Sequence, residues 1–299
     1  MNIGIIGLDT SHAVAFTKLL NDQDHAHHVS GGRVTMAYPG GSPDFPLSIG
    51  RVEGFTQEMR LQYGVQIVDT PEEVAARCDA ILLISADGRV HMDQFKRIAP
   101  YGKPVFIDKP LALRTIDAEE IVKISALHRV PVMSASALRY ADSLTAELRQ
   151  NENGPIIGAD VHGPMNVETT QSYYFWYGIH MAEMLFAILG TGCVAVSAVS
   201  TESHDLIVGK WSDGRIGTIR GVRGNETPFG AVVHRKAGTA WAEIRSSDRT
   251  YYASLLEQVV PMFVTGRPAL DIKESLEIIR FLEAAEASRN NGVTVPIFS

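Results

Sequence analysis

The chain opens with an apolar run, residues 2–7, followed by Gly7-Leu8-Asp9-Thr10-Ser11-His12. A strand-to-helix turn of this kind lets a phosphate meet helix N–H groups. Thr10 and Ser11 add hydroxyl donors, and either can cap the helix that follows. Asp9 works against an anion. Two like unit charges ~4 Å apart repel by ~1 kcal/mol in water and several-fold more in a drier site. A protonated His12 offsets part of that charge. Lys109 follows the apolar run 105–107 and Asp108. The carboxyl edge of a strand in an open α/β sheet is where ligands sit, so Lys109 reads as a site residue. His180 begins an apolar helix and is either an acid–base candidate, since imidazole titrates near neutrality, or a hydrogen-bonded structural histidine. His91 opens another helix and is expected to line the same crevice as the first loop.

Two further clusters carry a weaker signal. His25-Ala26-His27-His28 has metal-ligand residue types but lies in a polar stretch before Gly31-Gly32, so a solvated loop is expected and no metal site. Tyr173-Tyr174-Phe175-Trp176-Tyr177 is either a strand packed on the core or, being next to His180, a wall on which a sugar ring stacks.

These groups need a scaffold, and the first half of the chain supplies a rhythm. Short apolar runs at 2–7, 34–38, 65–68, 80–85, 105–107 and 130–134 alternate with amphipathic segments. Thr70-Pro71-Glu72-Glu73 carries a cap, a first-position proline and first-turn acids, so a helix starts there. Helices are also expected at 57–63, 91–99 and 115–128. Strands alternating with helices give βαβ units and a doubly wound parallel sheet. After residue 139 the rhythm changes. A helix at 143–150 leads to the loop Asn151-Glu152-Asn153-Gly154-Pro155, then to strand-like runs at 156–162, 194–201, 205–211, 216–222, 231–235 and 240–245. Turns such as Ser212-Asp213-Gly214 separate them, which predicts a largely antiparallel open sheet. Helices at 252–263 and 272–289 close the chain. The expected domains are 1–138 and 139–299, an α/β doubly wound domain followed by an α+β domain.

With 299 residues, the chain is long enough for two ordinary cores. Hydrophobic residues make up 45% and charged residues 20%, which fits a globular chain rather than a disordered one. A net charge of −7 argues against a phosphate-tracking nucleic-acid binder, which needs a basic face. Two cysteines, Cys78 and Cys193, are too few for a disulfide framework or a thiolate zinc site, so a reducing, cytoplasmic setting is expected. No signal peptide is evident, and no apolar stretch approaches the ~20 residues of a membrane helix.

An ordered set of segments resembles the glucose–fructose oxidoreductase / inositol dehydrogenase / rhizopine-catabolism (Gfo/Idh/MocA) family. It comprises Asp79-Ala80-Ile81-Leu82-Leu83-Ile84 with Ala86-Asp87-Gly88-Arg89-Val90-His91; Gly102-Lys103-Pro104-Val105-Phe106-Ile107-Asp108-Lys109-Pro110; Arg139-Tyr140; and Gly178-Ile179-His180-Met181-Ala182-Glu183 followed by Ala187-Ile188-Leu189-Gly190. The tail from Gly266-Arg267-Pro268-Ala269 to Val293-Thr294-Val295-Pro296 also fits. The resemblance implies an N-terminal Rossmann domain, NAD or NADP as cofactor, and hydride transfer at a secondary hydroxyl of a sugar, cyclitol or similar polar substrate. It implies that Lys109 reaches the substrate oxygen and that His180 takes its proton, both across a cleft beside the first turn. Gly7, Asp9, Thr10, Ser11, His12, Ala86, His91, Asp108 and Lys109 fall at cofactor positions. Arg139, Tyr140, Trp176, Tyr177 and His180 fall at substrate positions. Relatives pair as homodimers or homotetramers.

The departures fall at functional positions. Of the loop glycines only Gly7 stands, with Asp9 and His12 at the other two places. The second strand runs into Tyr38-Pro39-Gly40-Gly41-Ser42 with no acid for a ribose. Asp108 replaces a glutamate. Trp176 stands where the family has the acid that orients the histidine, although its ring can stack on a sugar face or a cation. A non-redox lyase, epimerase or hydrolase, with Asp9, His12, His91 and His180 around a metal or acting as acid and base, and a non-catalytic ligand-binding member are therefore the alternatives to the dehydrogenase.

Overall fold

The computed structural model describes residues 1–224, 227–245 and 249–297. Its contacts divide the chain into two units, Met1–Ala135 with Tyr252–Ile272, and Ser136–Tyr251 with Lys273–Ser299.

In the first unit, β1 (Asn2–Ile6), β2 (Arg33–Tyr38), β3 (Gln66–Ile67), β4 (Ala80–Leu83), β5 (Val105–Asp108) and β6 (Val132–Ala135) form a parallel sheet in the order β3-β2-β1-β4-β5-β6. The connections run through α1 (Ser11–Asn21), α2 (Pro46–Tyr63), α3 (Pro71–Arg77), α4 (His91–Ile98) and α5 (Thr115–His128). Every residue of β4 and β5 is buried, which is why those strands read as continuous apolar runs. The strand order reverses between β1 and β4, the place where open α/β sheets bind ligands. The Thr10 hydroxyl accepts from the His12 N–H and caps α1; Thr70 does the same for the Glu73 N–H at the start of α3. Helix α2 begins at Pro46, well before the expected residue 57. Gly50 and Gly54 interrupt its pattern, and both face open space.

The second unit starts with a 3-10 turn, Ala137–Tyr140, and α6 (Asp142–Arg149). Strands β7 (Ile156–Pro164), β8 (Cys193–Ser200), β9 (His204–Trp211), β10 (Ile216–Val222), β11 (Phe229–Arg235) and β12 (Gly238–Ile244) follow, with α7 (Gly178–Leu189) between β7 and β8. With β13 (Val295–Pro296) they form a sheet in the order β12-β11-β7-β10-β9-β8-β13. Pairing is antiparallel except between β7 and β10. Helix α9 (Ile272–Asn291) covers it together with α7. The Phe186 ring of α7 packs 5.5 Å from Trp211 and 5.6 Å from Phe281, and the Trp211 indole donates to the Gly190 carbonyl at 2.8 Å.

A single cut after residue 138 does not describe this division. The border falls after Ala135, and most of α8 (Tyr251–Thr265) returns to the first unit. Its apolar residues Leu255, Leu256, Val259 and Met262 are buried, and the Tyr252 ring packs on His12 and Phe16. Sequence periodicity marks such a helix as apolar without naming the core that receives it. Among the described residues, no helix is long and apolar enough to cross a membrane.

The turn after β1 depends on close backbone approach. Gly7 has φ of 99°, and a Cβ there would stand 2.4 Å from the Ser85 backbone nitrogen. Its own N–H donates to the Tyr38 carbonyl at 3.0 Å, and that of Leu8 to the Pro39 carbonyl at 2.7 Å. Replacing Gly7 by alanine combines left-handed strain with a clash against backbone that cannot yield. The expected loss is about 2–4 kcal/mol, read as a lower urea midpoint at unchanged m-value.

Candidate active site

Asp9 stands in the first loop, yet its carboxylate does not face out of it. One oxygen accepts from the Ser48 hydroxyl at 2.6 Å and the other from the Ala86 N–H at 2.9 Å. Burial raises its pKa, opposed by those hydrogen bonds. Ser48 Oγ in turn accepts from the Ser42 N–H at 2.9 Å. Asp9 therefore ties the loop to the start of α2 and to the segment after β4. Thr10 is half-buried and Ser11 exposed at the N-terminus of α1.

His12 reaches sideways. Its Nδ1 lies 2.7 Å from Asp108 Oδ2 at the end of β5, while the ring stacks on Phe16 at 5.3 Å and meets the Tyr252 edge at 4.9 Å. Burial pushes the Asp108 carboxyl up, but the His12 charge and hydrogen bond, together with the Lys109 charge, outweigh it and hold the group at about 2. Lys109, next in the chain, is pushed below the ordinary lysine range by desolvation, against the pull of Asp108. The Lys109–Pro110 peptide is cis.

His91 is fully buried. Its Nδ1 faces the Pro110 carbonyl at 2.9 Å and its Nε2 the Ser85 carbonyl at 2.8 Å. With both ring nitrogens facing backbone oxygens, it braces the loops after β4 and β5. Ala86 is half-buried, and its N–H belongs to Asp9. Arg89 clamps Asp87 and Asp44, joining the loops after β4 and β2. In the His25–His28 segment, the His28 Nδ1 engages the Leu19 carbonyl at 3.1 Å. Among the described residues, no group of three or more His, Cys, Asp or Glu is placed to hold a metal ion.

In the second unit, Arg139 is buried between two carboxylates. It donates to Glu183 Oε2 at 3.0 Å and to Glu274 Oε1. Its guanidinium binds the 3-10 turn to α7 and α9 as an internal strut. Burial pushes Glu183 up to about 7 against the pull of Arg139. Tyr140 beside it is half-buried and raised to about 12 by burial.

The aromatic segment before α7 divides by depth. Tyr174 and Phe175 are core residues, with the Tyr174 hydroxyl donating to Asp205 at 3.0 Å. The Arg289 guanidinium lies 3.6 Å over the Tyr173 ring. Glu286 accepts from the Ser172 hydroxyl at 2.6 Å and the Tyr174 N–H at 2.8 Å. Trp176 and Tyr177, both half-buried, follow on this anchored base. His180, in the first turn of α7, has the Tyr177 and Phe229 rings edge-on at 5.9 and 5.7 Å. Its Nδ1 stands 2.7 Å from Ser136 Oγ. Sequence reasoning missed Ser48, Ser136 and Glu274. Each is an ordinary polar residue whose partner lies far along the chain, and no local signal marks it.

Residues 1–136 match the model of the Gfo/Idh/MocA family, an oxidoreductase family with an NAD-binding Rossmann fold. No curated protein matches the chain in sequence. Among solved structures it is similar to scyllo-inositol dehydrogenase from Lactobacillus casei with bound NAD(H) and scyllo-inositol (14% identity, 100% of this chain and 99% of that one, TM-score 0.81). It is similar to myo-inositol 2-dehydrogenase from Lactobacillus plantarum (16%, 100% and 99%, TM-score 0.81). A third is GenD2 of gentamicin A biosynthesis in complex with NAD (15%, 100% and 97%, TM-score 0.79). At such identities the likeness is one of fold.

The first loop fits a dinucleotide pyrophosphate. The Asp9 charge that would repel it is turned inward and met by donors, and the first turn of α1 remains exposed at Ser11. After β2, Gly40 packs beside Gly7, where a Cβ would lie 3.6 Å from the Gly7 Cα in ordinary contact.

The His12–Asp108 pair also sets an acid-sensitive contribution to stability. An Asp108 held at about 2 in the fold, against 3.8 ordinarily, stabilises the protein above the ordinary value, and that stabilisation fades as pH falls from about 4 to 2. His12→Ala is expected to remove about 2 kcal/mol at pH 5 and to move acid unfolding to higher pH. Urea unfolding measured from pH 3 to 7 checks both.

Proposed function

We propose, because this chain belongs to the Gfo/Idh/MocA family of oxidoreductases with an NAD-binding Rossmann fold, that it catalyses nicotinamide-dependent hydride transfer at a secondary hydroxyl of a cyclitol, sugar or similar polar substrate. The observation that carries this reading is Lys109. It is a desolvated ammonium at the carboxyl end of β5, beside a carboxylate that His12 keeps ionised. The relatives with scyllo-inositol and myo-inositol in their names support the substrate class.

NAD or NADP, when bound, supplies the hydride acceptor or donor. The chain's own residues do the rest. The exposed start of α1, with Thr10 and Ser11, receives the pyrophosphate, and Gly7 lets the backbone come close. His12 and Asp108 fix the end of β5 from which Lys109 extends. The Lys109 ammonium holds the substrate oxygen as negative charge develops on it. His180 holds or releases the hydroxyl proton. Tyr140, Trp176 and Tyr177 offer the substrate hydroxyl and ring-face contacts. The two cysteines, Cys78 and Cys193, are free and buried, in keeping with a cytoplasmic protein, and we assign it as a homodimer or homotetramer.

Calorimetric titration with NAD(H) and NADP(H) tests the reading, with one of the two expected to bind; no binding of either at millimolar concentration rejects it. With myo- or scyllo-inositol as substrate, Lys109→Ala is expected to lower kcat/KM by about 10²–10³-fold. Because desolvation lowers the Lys109 pKa, the ammonium is lost as pH rises through a value below that of ordinary lysine. Activity is expected to fall on that alkaline limb.

A further inference from the structure

Ser136 is the first residue of the second unit and is fully buried. Its hydroxyl accepts from the Leu138 N–H at 3.2 Å and stands 2.7 Å from His180 Nδ1. Its backbone N–H donates to the Glu183 carboxylate, which Arg139 holds from the other side. Ser136 therefore grips α7 in its first two turns, His180 through the hydroxyl and Glu183 through the backbone. The edge-on rings of Tyr177 and Phe229 restrict the imidazole further. With Nδ1 engaged by Ser136, the acid–base role given to His180 is assigned to Nε2.

We propose that Ser136 is the positioning residue for His180, doing with a neutral hydroxyl what the Trp176 indole, which carries no acceptor, cannot do. This rests on the acid–base role given to His180 above. A hydroxyl suits the task because it can both donate and accept. It donates to Nδ1 when the ring carries its proton on Nε2, and it accepts from Nδ1–H when Nε2 is the open base. In the oxidative direction the substrate O–H bond breaks, the oxygen keeps the electron pair, and the proton forms a new bond to Nε2. The ring becomes imidazolium while Nδ1–H donates to Ser136 Oγ. The heavy atoms stay in place, since Nδ1–H donates to Ser136 Oγ both before and after the transfer. A carboxylate at Nδ1 would also favour the charged ring through its own charge; serine orients without that bias.

The test uses the full chain labelled with 15N-histidine. Long-range 1H–15N spectra across a pH titration, without cofactor or substrate, read the His180 ring nitrogens, assigned by their loss in His180→Gln. Ser136→Ala is expected to shift the Nδ1 resonance and its pH response, and Ser136→Thr, which keeps the hydroxyl, to restore both. With nicotinamide and inositol, Ser136→Ala is expected to lower kcat by about 10- to 100-fold and to displace its pH profile, leaving KM within about 2-fold. Ser136→Thr is expected to recover kcat. If Ser136→Ala does not fold, Ser136→Cys, near-isosteric with a weak donor, carries the same expectations. An unmoved Nδ1 resonance, or equal losses of kcat in the alanine and threonine variants, overturns the proposal. If the unaltered chain turns over no inositol yet its imidazole responds to Ser136, the functional reading fails and the positioning role stands. If it turns over but the imidazole is unresponsive, the reverse holds.

Discussion

A carboxylate taken out of water must be met by donors or charge, and the arrangement of both units depends on that constraint. In the first unit Asp9 is met by Ser48 and the Ala86 N–H, and Asp108 by His12. In the second, Glu183 is met by Arg139 and the Ser136 N–H, and Glu286 by Ser172 and the Tyr174 N–H. Each pairing joins segments that no continuous element connects.

The same constraint explains how a Rossmann loop can carry an acid where a glycine is usual. The repulsion between Asp9 and a pyrophosphate matters only if the charge points at it. Buried and hydrogen-bonded behind the loop, the carboxylate becomes a tie between β1, α2 and the segment after β4. His12, at another glycine place, does not crowd the helix start. It leans across to Asp108, where its charge and hydrogen bond, together with the Lys109 charge, outweigh the desolvation that pushes that carboxyl up. The two substitutions are thus coupled to partners in the surrounding structure.

In the second unit the relevant contrast is between charged and neutral orientation of an imidazole. A buried serine, not a carboxylate, stands at Nδ1 of His180. The Arg139 strut, which first reads as a ligand-binding arginine, gives that serine its fixed backbone by way of Glu183.

By itself, the amino-acid order determined what short-range physics writes into it. The alternation of apolar runs and capped helices gives the doubly wound sheet, the cap at Thr70 and the position of Lys109 after a buried strand follow from the same pattern, and the structure chooses Thr10 over Ser11 as the first cap. The helix at Pro46 was shortened in that reading because its glycines face open space and leave no periodic signal. Which polar group meets which was decided only by tertiary structure. The partners of Asp9, His12, His180 and Arg139 lie 39, 96, 44 and 135 residues away in the chain. Hydrogen bonds act over about 3 Å, so they are settled only once folding has brought distant segments together. The return of α8 to the first unit has the same cause, since an apolar face is legible locally but the core that buries it is not.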